Sequence, residues 1–92
     1  MAERTTEYIL NMAKHFRKNK QYKEARICWE ELVGREDNNV TFRVRLFETL
    51  LKVGDSDEAK LILMEIKTQQ ALPEKEIVEL ERKLMLLKAR EE

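Results

Sequence analysis

Apolar residues recur along this chain at the spacing of a helix. Ile9, Met12, Ala13 and Phe16 lie at i, i+3, i+4 and i+7, and the sets Ala25, Cys28, Trp29, Leu32 and Ala59, Ile62, Leu63, Ile66 repeat that interval. The run Arg43, Leu46, Phe47, Leu50 matches it except for a cation in first place, and Ile77, Leu80, Leu84, Leu87 is a looser fifth version. Each set makes one stripe of an amphipathic helix. The pattern predicts five helices, at residues 5–18, 21–33, 39–52, 56–69 and 73–90.

The breaks between the stripes carry turn chemistry. Asn19 follows the first stripe and tolerates the left-handed conformation that ends many helices. Gly34 and Gly54 each follow a valine, at positions where a helix end favours positive φ. Asp55, with Glu58 three residues on, has the spacing of a capping box, and Pro73 suits the first turn of the last helix. The linkers are two to five residues long, which makes sequential helices antiparallel neighbours.

A shift of 34 residues superimposes the chain on itself. Tyr8 then falls on Phe42, Met12 on Leu46, Phe16 on Leu50, Lys18 on Lys52, Ala25 on Ala59, Trp29 on Leu63 and Leu32 on Ile66. The unit is a helix pair, present twice and followed by one further helix. A helical-hairpin unit of this length resembles the tetratricopeptide repeat. The stretch Lys20-Gln21-Tyr22-Lys23-Glu24-Ala25 is similar to the family's segment between its two helices, and Gly54-Asp55-Ser56-Asp57-Glu58-Ala59 is similar to it again. Trp29 and Leu63 take the family's large residue of the second helix, and Phe16 and Leu50 the bulky residue late in the first. The match is degenerate: Phe47 stands for a small residue, Leu32 and Ile66 for another, and Pro73 is displaced. The resemblance implies an all-α fold, a right-handed stack of two antiparallel hairpins with a closing helix. It makes one domain over 1–92, with repeat one at about 6–39, repeat two at about 40–73 and a capping helix at about 74–90.

On the other flank of each first helix stand Leu10, Lys14 and Arg17; their equivalents are Val44, Glu48 and Leu51, and in the last helix Val78, Arg82 and Met85. In the resembling family the first helices line a concave groove, and these positions look into it. Leu10, Val44 and Val78 would then form one apolar row rimmed by charge, as in a surface that docks a peptide or helix. The rival reading of Val78 and Met85 is packing of the closing helix. One branch of the family grips a C-terminal carboxylate through Lys and Asn. Lys14, Arg45 and Lys75 offer cations, but position 10 is Leu10 and position 79 is Glu79, so that ligand is not expected.

Composition narrows the remaining choices. Lys plus Arg and Asp plus Glu each total 18, a balance that speaks against holding nucleic acid or membrane by bulk charge. One cysteine and one histidine exclude a disulfide framework and most metal and catalytic clusters. Cys28, between Ile27 and Trp29, is read as a small buried hydrophobe rather than a reactive thiol, and His15 as a surface residue. No phosphate-loop, nucleophile-elbow or zinc motif occurs, so no catalytic residue, metal or cofactor is assigned. Residues 1–30 hold no apolar leader-like run, and a cytoplasmic protein is expected. Between Lys14 and Arg26 six cations face Glu24 alone, read as a solvated face before an anion site. The expected function is protein–protein interaction, with Leu10, Lys14, Arg17, Val44, Glu48, Leu51, Val78 and Arg82 as the partner-binding set. Two rivals stand beside it: self-association into a homo-oligomer, because two repeats fall below the usual three, and binding of RNA or an acidic partner by the basic stretch.

Overall fold

The computed structural model describes residues 4–91; residues 1–3 and 92 of the expected domain lie outside the described ones. Five helices follow one another: α1 (Thr6–Lys18), α2 (Tyr22–Arg35), α3 (Val40–Val53), α4 (Ser56–Gln69) and α5 (Glu74–Glu91). No strand occurs among the described residues. Every boundary lies within two residues of the predicted one. Each helix packs on its neighbour in sequence, and α3 also touches α5. This is a stack of two helical hairpins closed by a fifth helix.

One core runs through the stack. Ile9 and Ala13 enter it from α1, Cys28, Trp29 and Leu32 from α2, Leu46, Phe47 and Leu50 from α3, Ile62, Leu63 and Ile66 from α4, and Ile77, Leu80 and Leu84 from α5. Ala25 and Ala59, the small residues shared by the two repeats, are fully buried. Phe16 and Met12 are only half-buried, at the core's edge. Burial pushes the Cys28 thiol up from its ordinary pKa, which keeps it protonated and inert.

The cation that interrupts the third stripe is part of the packing. Arg43 is buried and donates to the carbonyl and the carboxylate of Asp37 in the α2–α3 linker and, at 3.0 Å, to Glu65 of α4. Gln69 of α4 donates to the same Asp37 carbonyl at 2.9 Å. One guanidinium therefore pins the linker between the hairpins to the second of them.

The turn inside each hairpin is built the same way. At the first, Gln21 N–H bonds the Phe16 carbonyl and Lys20 N–H that of Arg17; at the second, Asp55 N–H bonds Leu50 and Gly54 N–H bonds Leu51. These nested bonds close around one left-handed residue, Lys20 (φ 59°) and Gly54 (φ 82°). The two stand 34 positions apart, so the repeat is present in backbone conformation as well as in sequence. Asn19 does not adopt the expected left-handed state; its φ is −90° and its side chain donates to the His15 carbonyl. Gly34 is not a cap either, because α2 runs on to Arg35. Asp55 caps α4 by accepting from Glu58 N–H, but its own N–H is taken by Leu50, so the reciprocal half of the capping box is not made.

Lys20 bears a cost that Gly54 avoids. A left-handed L-residue is disfavoured by about 1–2 kcal/mol, against a Gly entropy penalty of about 0.5–1 kcal/mol, so Lys20→Gly should stabilise the fold by about 0.5–1 kcal/mol. The midpoint of urea unfolding should rise accordingly, whereas Gly54→Lys should lower it.

Candidate protein-docking groove

The molecule is elongated, 47 × 28 × 18 Å, and its candidate site is an open groove. Short linkers make α1, α3 and α5 run in the same direction, and their C-terminal halves line one cleft of about 670 Å³. Lys14, Arg17 and Lys18 come from α1, Lys52 from α3, and Lys83 and Arg90 from α5. Leu51, Leu86 and Leu87 supply apolar surface, and Tyr22 carries the Lys52 ammonium over its ring at 6.0 Å.

Among the described residues a single carboxylate, Glu48, stands in this cleft. Its oxygens lie 3.0 Å from Arg45, 3.8 Å from Lys83 and 4.0 Å from Arg17. It thus faces cations from all three helices that line the cleft. Among the described residues, Lys14, Lys18, Lys52 and Arg90 have no carboxylate within ion-pair distance.

A second cleft, about 310 Å³, lies between the N-terminal halves of α3 and α5. Val40, Val44, Leu72 and Leu80 give it an apolar lining, with Arg45, Glu76 and Glu79 beside them. The face shared by α3 and α5 is therefore apolar with mixed charge at one end and basic at the other.

Of the eight residues expected to bind a partner, the structure brings Lys14, Arg17, Glu48 and Leu51 together in the larger cleft, and Val44 lines the smaller. Leu10 lines neither; it is half-buried and packs against the core, as Val44 does. Val78 and Arg82 also line neither. They are exposed on α5, where Arg82 donates to Glu79 at 2.6 Å and holds that carboxyl below the usual range. Leu10, Val44 and Val78, expected as one row, do not line a common cleft. A shift of 34 residues does preserve the buried positions, carrying Leu46 to Leu80 and Leu50 to Leu84. However, α3 is covered by both α2 and α4, whereas α5 is covered by α4 and touched on one flank by α3. The open faces of the two helices consequently differ. The groove stripe of α5 is Glu76, Glu79, Lys83, Leu86 and Arg90, while Val78 and Met85 point away from the core.

Lys18, Lys52, Lys83, Leu86, Leu87 and Arg90 were not in the expected set. The signal for them was the recurrence of a cation in the last turn of each first helix, Lys18 and Lys52. The basic stretch is divided: Lys14, Arg17 and Lys18 enter the cleft, whereas Lys23 and Arg26 border a separate depression beside Asp55, to which Arg26 is paired at 3.2 Å. Among the described residues no group of three or more His, Cys, Asp or Glu is placed to hold a metal, and no helix is long and apolar enough to cross a membrane. No family model, curated protein or solved structure matches the chain.

The difference in burial gives a stability test. Val78→Glu and Met85→Glu should each change stability by no more than about 0.5 kcal/mol, while Leu10→Glu and Val44→Glu should cost about 1–3 kcal/mol each. Thermal melting of the four single variants checks the assignment of faces.

Proposed function

We propose that this chain is a non-catalytic protein-interaction module of the tetratricopeptide-repeat kind, acting as a scaffold or adaptor that takes a peptide or helix of a partner along its groove. The observation that carries the reading is the larger cleft. Three helices from three successive units converge on it, Leu51, Leu86 and Leu87 line it, and charge surrounds them. Apolar anchors bordered by charge are what a docked helix or peptide requires. The hairpin turns, left-handed at positions 20 and 54, support the repeat assignment. A cytoplasmic setting belongs to the same reading, with Cys28 a buried free thiol.

A displayed random-peptide library, panned on the intact chain, tests this. Leu86 borders the cleft and is 52% exposed, so Leu86→Asp removes an anchor and spares the fold. Enriched peptides should lose about tenfold or more in affinity with Leu86→Asp, because a lost apolar anchor costs more than about 1 kcal/mol. Leu61→Asp, on exposed α4 surface, should leave them bound. Failure to enrich any sequence, or equal loss with both variants, would sink the reading.

Exposed Val78 and Met85 at the open end of the stack favour a second reading, self-association through α5. It requires a concentration-dependent mass in light scattering that Met85→Glu abolishes.

A further inference from the structure

We infer that the occupant of the larger cleft is an acidic amphipathic segment of a partner protein, whose internal Glu or Asp side chains take over the cations now shared by Glu48. The inference rests on the groove reading above and adds the chemistry of the ligand.

The charge in the cleft exceeds what the fold needs. Three helix C-termini bring at most about half a negative charge each, partly offset by the N-termini of α2 and α4 at the same end, and lysines or arginines in the last turn are stabilising there. Those termini and Glu48 together offset fewer than half of the six cations lining the cleft. The whole chain is neutral, so the surplus is local. It is also unsatisfied: Arg17 and Lys83 stand 4.0 and 3.8 Å from Glu48, beyond hydrogen-bond reach, because one carboxylate is shared by cations on three helices. An added carboxylate would find Lys14, Lys18, Lys52 and Arg90 without a competing acid among the described residues.

The same cleft selects against a purely ionic ligand. Leu51, Leu86 and Leu87 need an apolar partner, which an amphipathic peptide supplies and a polyphosphate does not. Nucleic acid is further disfavoured by the scarcity of aromatics: among the described residues Tyr22 is the one ring lining the cleft, with Lys52 over it at 6.0 Å, whereas single strands are held by successive stacked bases.

Glu48 then acts as an internal stand-in for the ligand. It holds α1, α3 and α5 together electrostatically in the free protein and competes with the incoming acid. Its removal should tighten binding, a gain that misfolding cannot imitate.

Fluorescence anisotropy with the intact chain tests the proposal. The probes are a short labelled peptide of Glu and Leu at helical spacing, its Gln and Leu counterpart, and a uridine oligonucleotide. Both peptides are amidated at the C-terminus, so that no terminal carboxylate takes part. The Glu and Leu peptide should bind about tenfold or more tightly than the Gln and Leu peptide, with affinity falling as salt rises. Lys52→Glu with Arg90→Glu should abolish that preference. Glu48→Gln should tighten the acidic peptide a few-fold, on the scale of one exposed ion pair, and leave the Gln and Leu peptide unchanged. Equal binding of both peptides, lost with Leu86→Asp, would overturn the acidic ligand and leave the groove reading standing. Binding of neither peptide would overturn both. Acidic-peptide binding that survives the double charge reversal would place the ligand elsewhere. Tighter binding of the oligonucleotide, sensitive to the same reversal, would replace the proposal with a nucleic-acid ligand.

Discussion

Helix α3 is apolar on more of its surface than its own hairpin partner can cover, and the rest of the molecule is arranged around that surplus. It buries Phe42, Leu46, Phe47 and Leu50, together with Arg43 and Thr49. These residues spread over more than one stripe, so α4 covers one side and α2 must cover the other. At about 1.5–3 kcal/mol for each fully buried large apolar side chain, leaving either side wet would cost several kcal/mol, comparable to the net stability of a small domain. The hairpins are therefore not independent. Helices α1 and α5 close what α2 and α4 in turn leave open. Arg43 and Thr49 lie buried in this arrangement because each is satisfied: Arg43 by Asp37 and Glu65, Thr49 by donating at 2.8 Å to the Arg45 carbonyl.

That packing order has an electrical consequence. Five antiparallel helices in sequence place three C-termini at one end of the groove. Each of those termini carries partial negative charge and has cations in its last turn. The N-termini of α2 and α4 lie at the same end and bring partial charge of the opposite sign, so the basic end of the groove exceeds what the topology calls for. The cations outside the last turns, Lys14 and Lys83, belong to this sequence rather than to helix dipoles in general.

The five helices, their boundaries and nearly all of the core are readable from periodicity, because burial on one face and a 3.6-residue repeat leave a regular trace in sequence. The turns are less readable. Asn19 has the better left-handed propensity, yet Lys20 takes that conformation, since the nested bonds from Gln21 and Lys20 to α1 fix which residue must turn. Arg43 breaks the apolar stripe, and nothing local indicates that Asp37, six residues earlier, and Glu65, in another helix, complete it. The groove is half readable. Lys14, Arg17, Glu48 and Leu51 follow from the repeat on α1 and α3, where both helices have a neighbour in the stack. Val78 and Arg82 do not lie with them, since α5 packs on α4 and is only touched by α3, and so shows a different face. A repeat register carries over buried positions more faithfully than exposed ones, because burial is set by the pair of helices and exposure by what comes next.

The stability of the groove and its affinity draw on the same charges. Like charges held close on α1, α3 and α5 repel, and Glu48 relieves this at one point where Arg17, Arg45 and Lys83 can all approach it. A second internal carboxylate there would make the free protein more comfortable and leave less for a partner to satisfy. Keeping one carboxylate for several cations holds the three helices in register and leaves the surplus facing outward, beside Leu51, Leu86 and Leu87. Electrostatic strain in the free state is in this way converted into attraction for whatever completes the site. The conversion is largest where the fold itself has least use for the charge, at Lys14, which lies away from the helix end and has no carboxylate within ion-pair distance among the described residues.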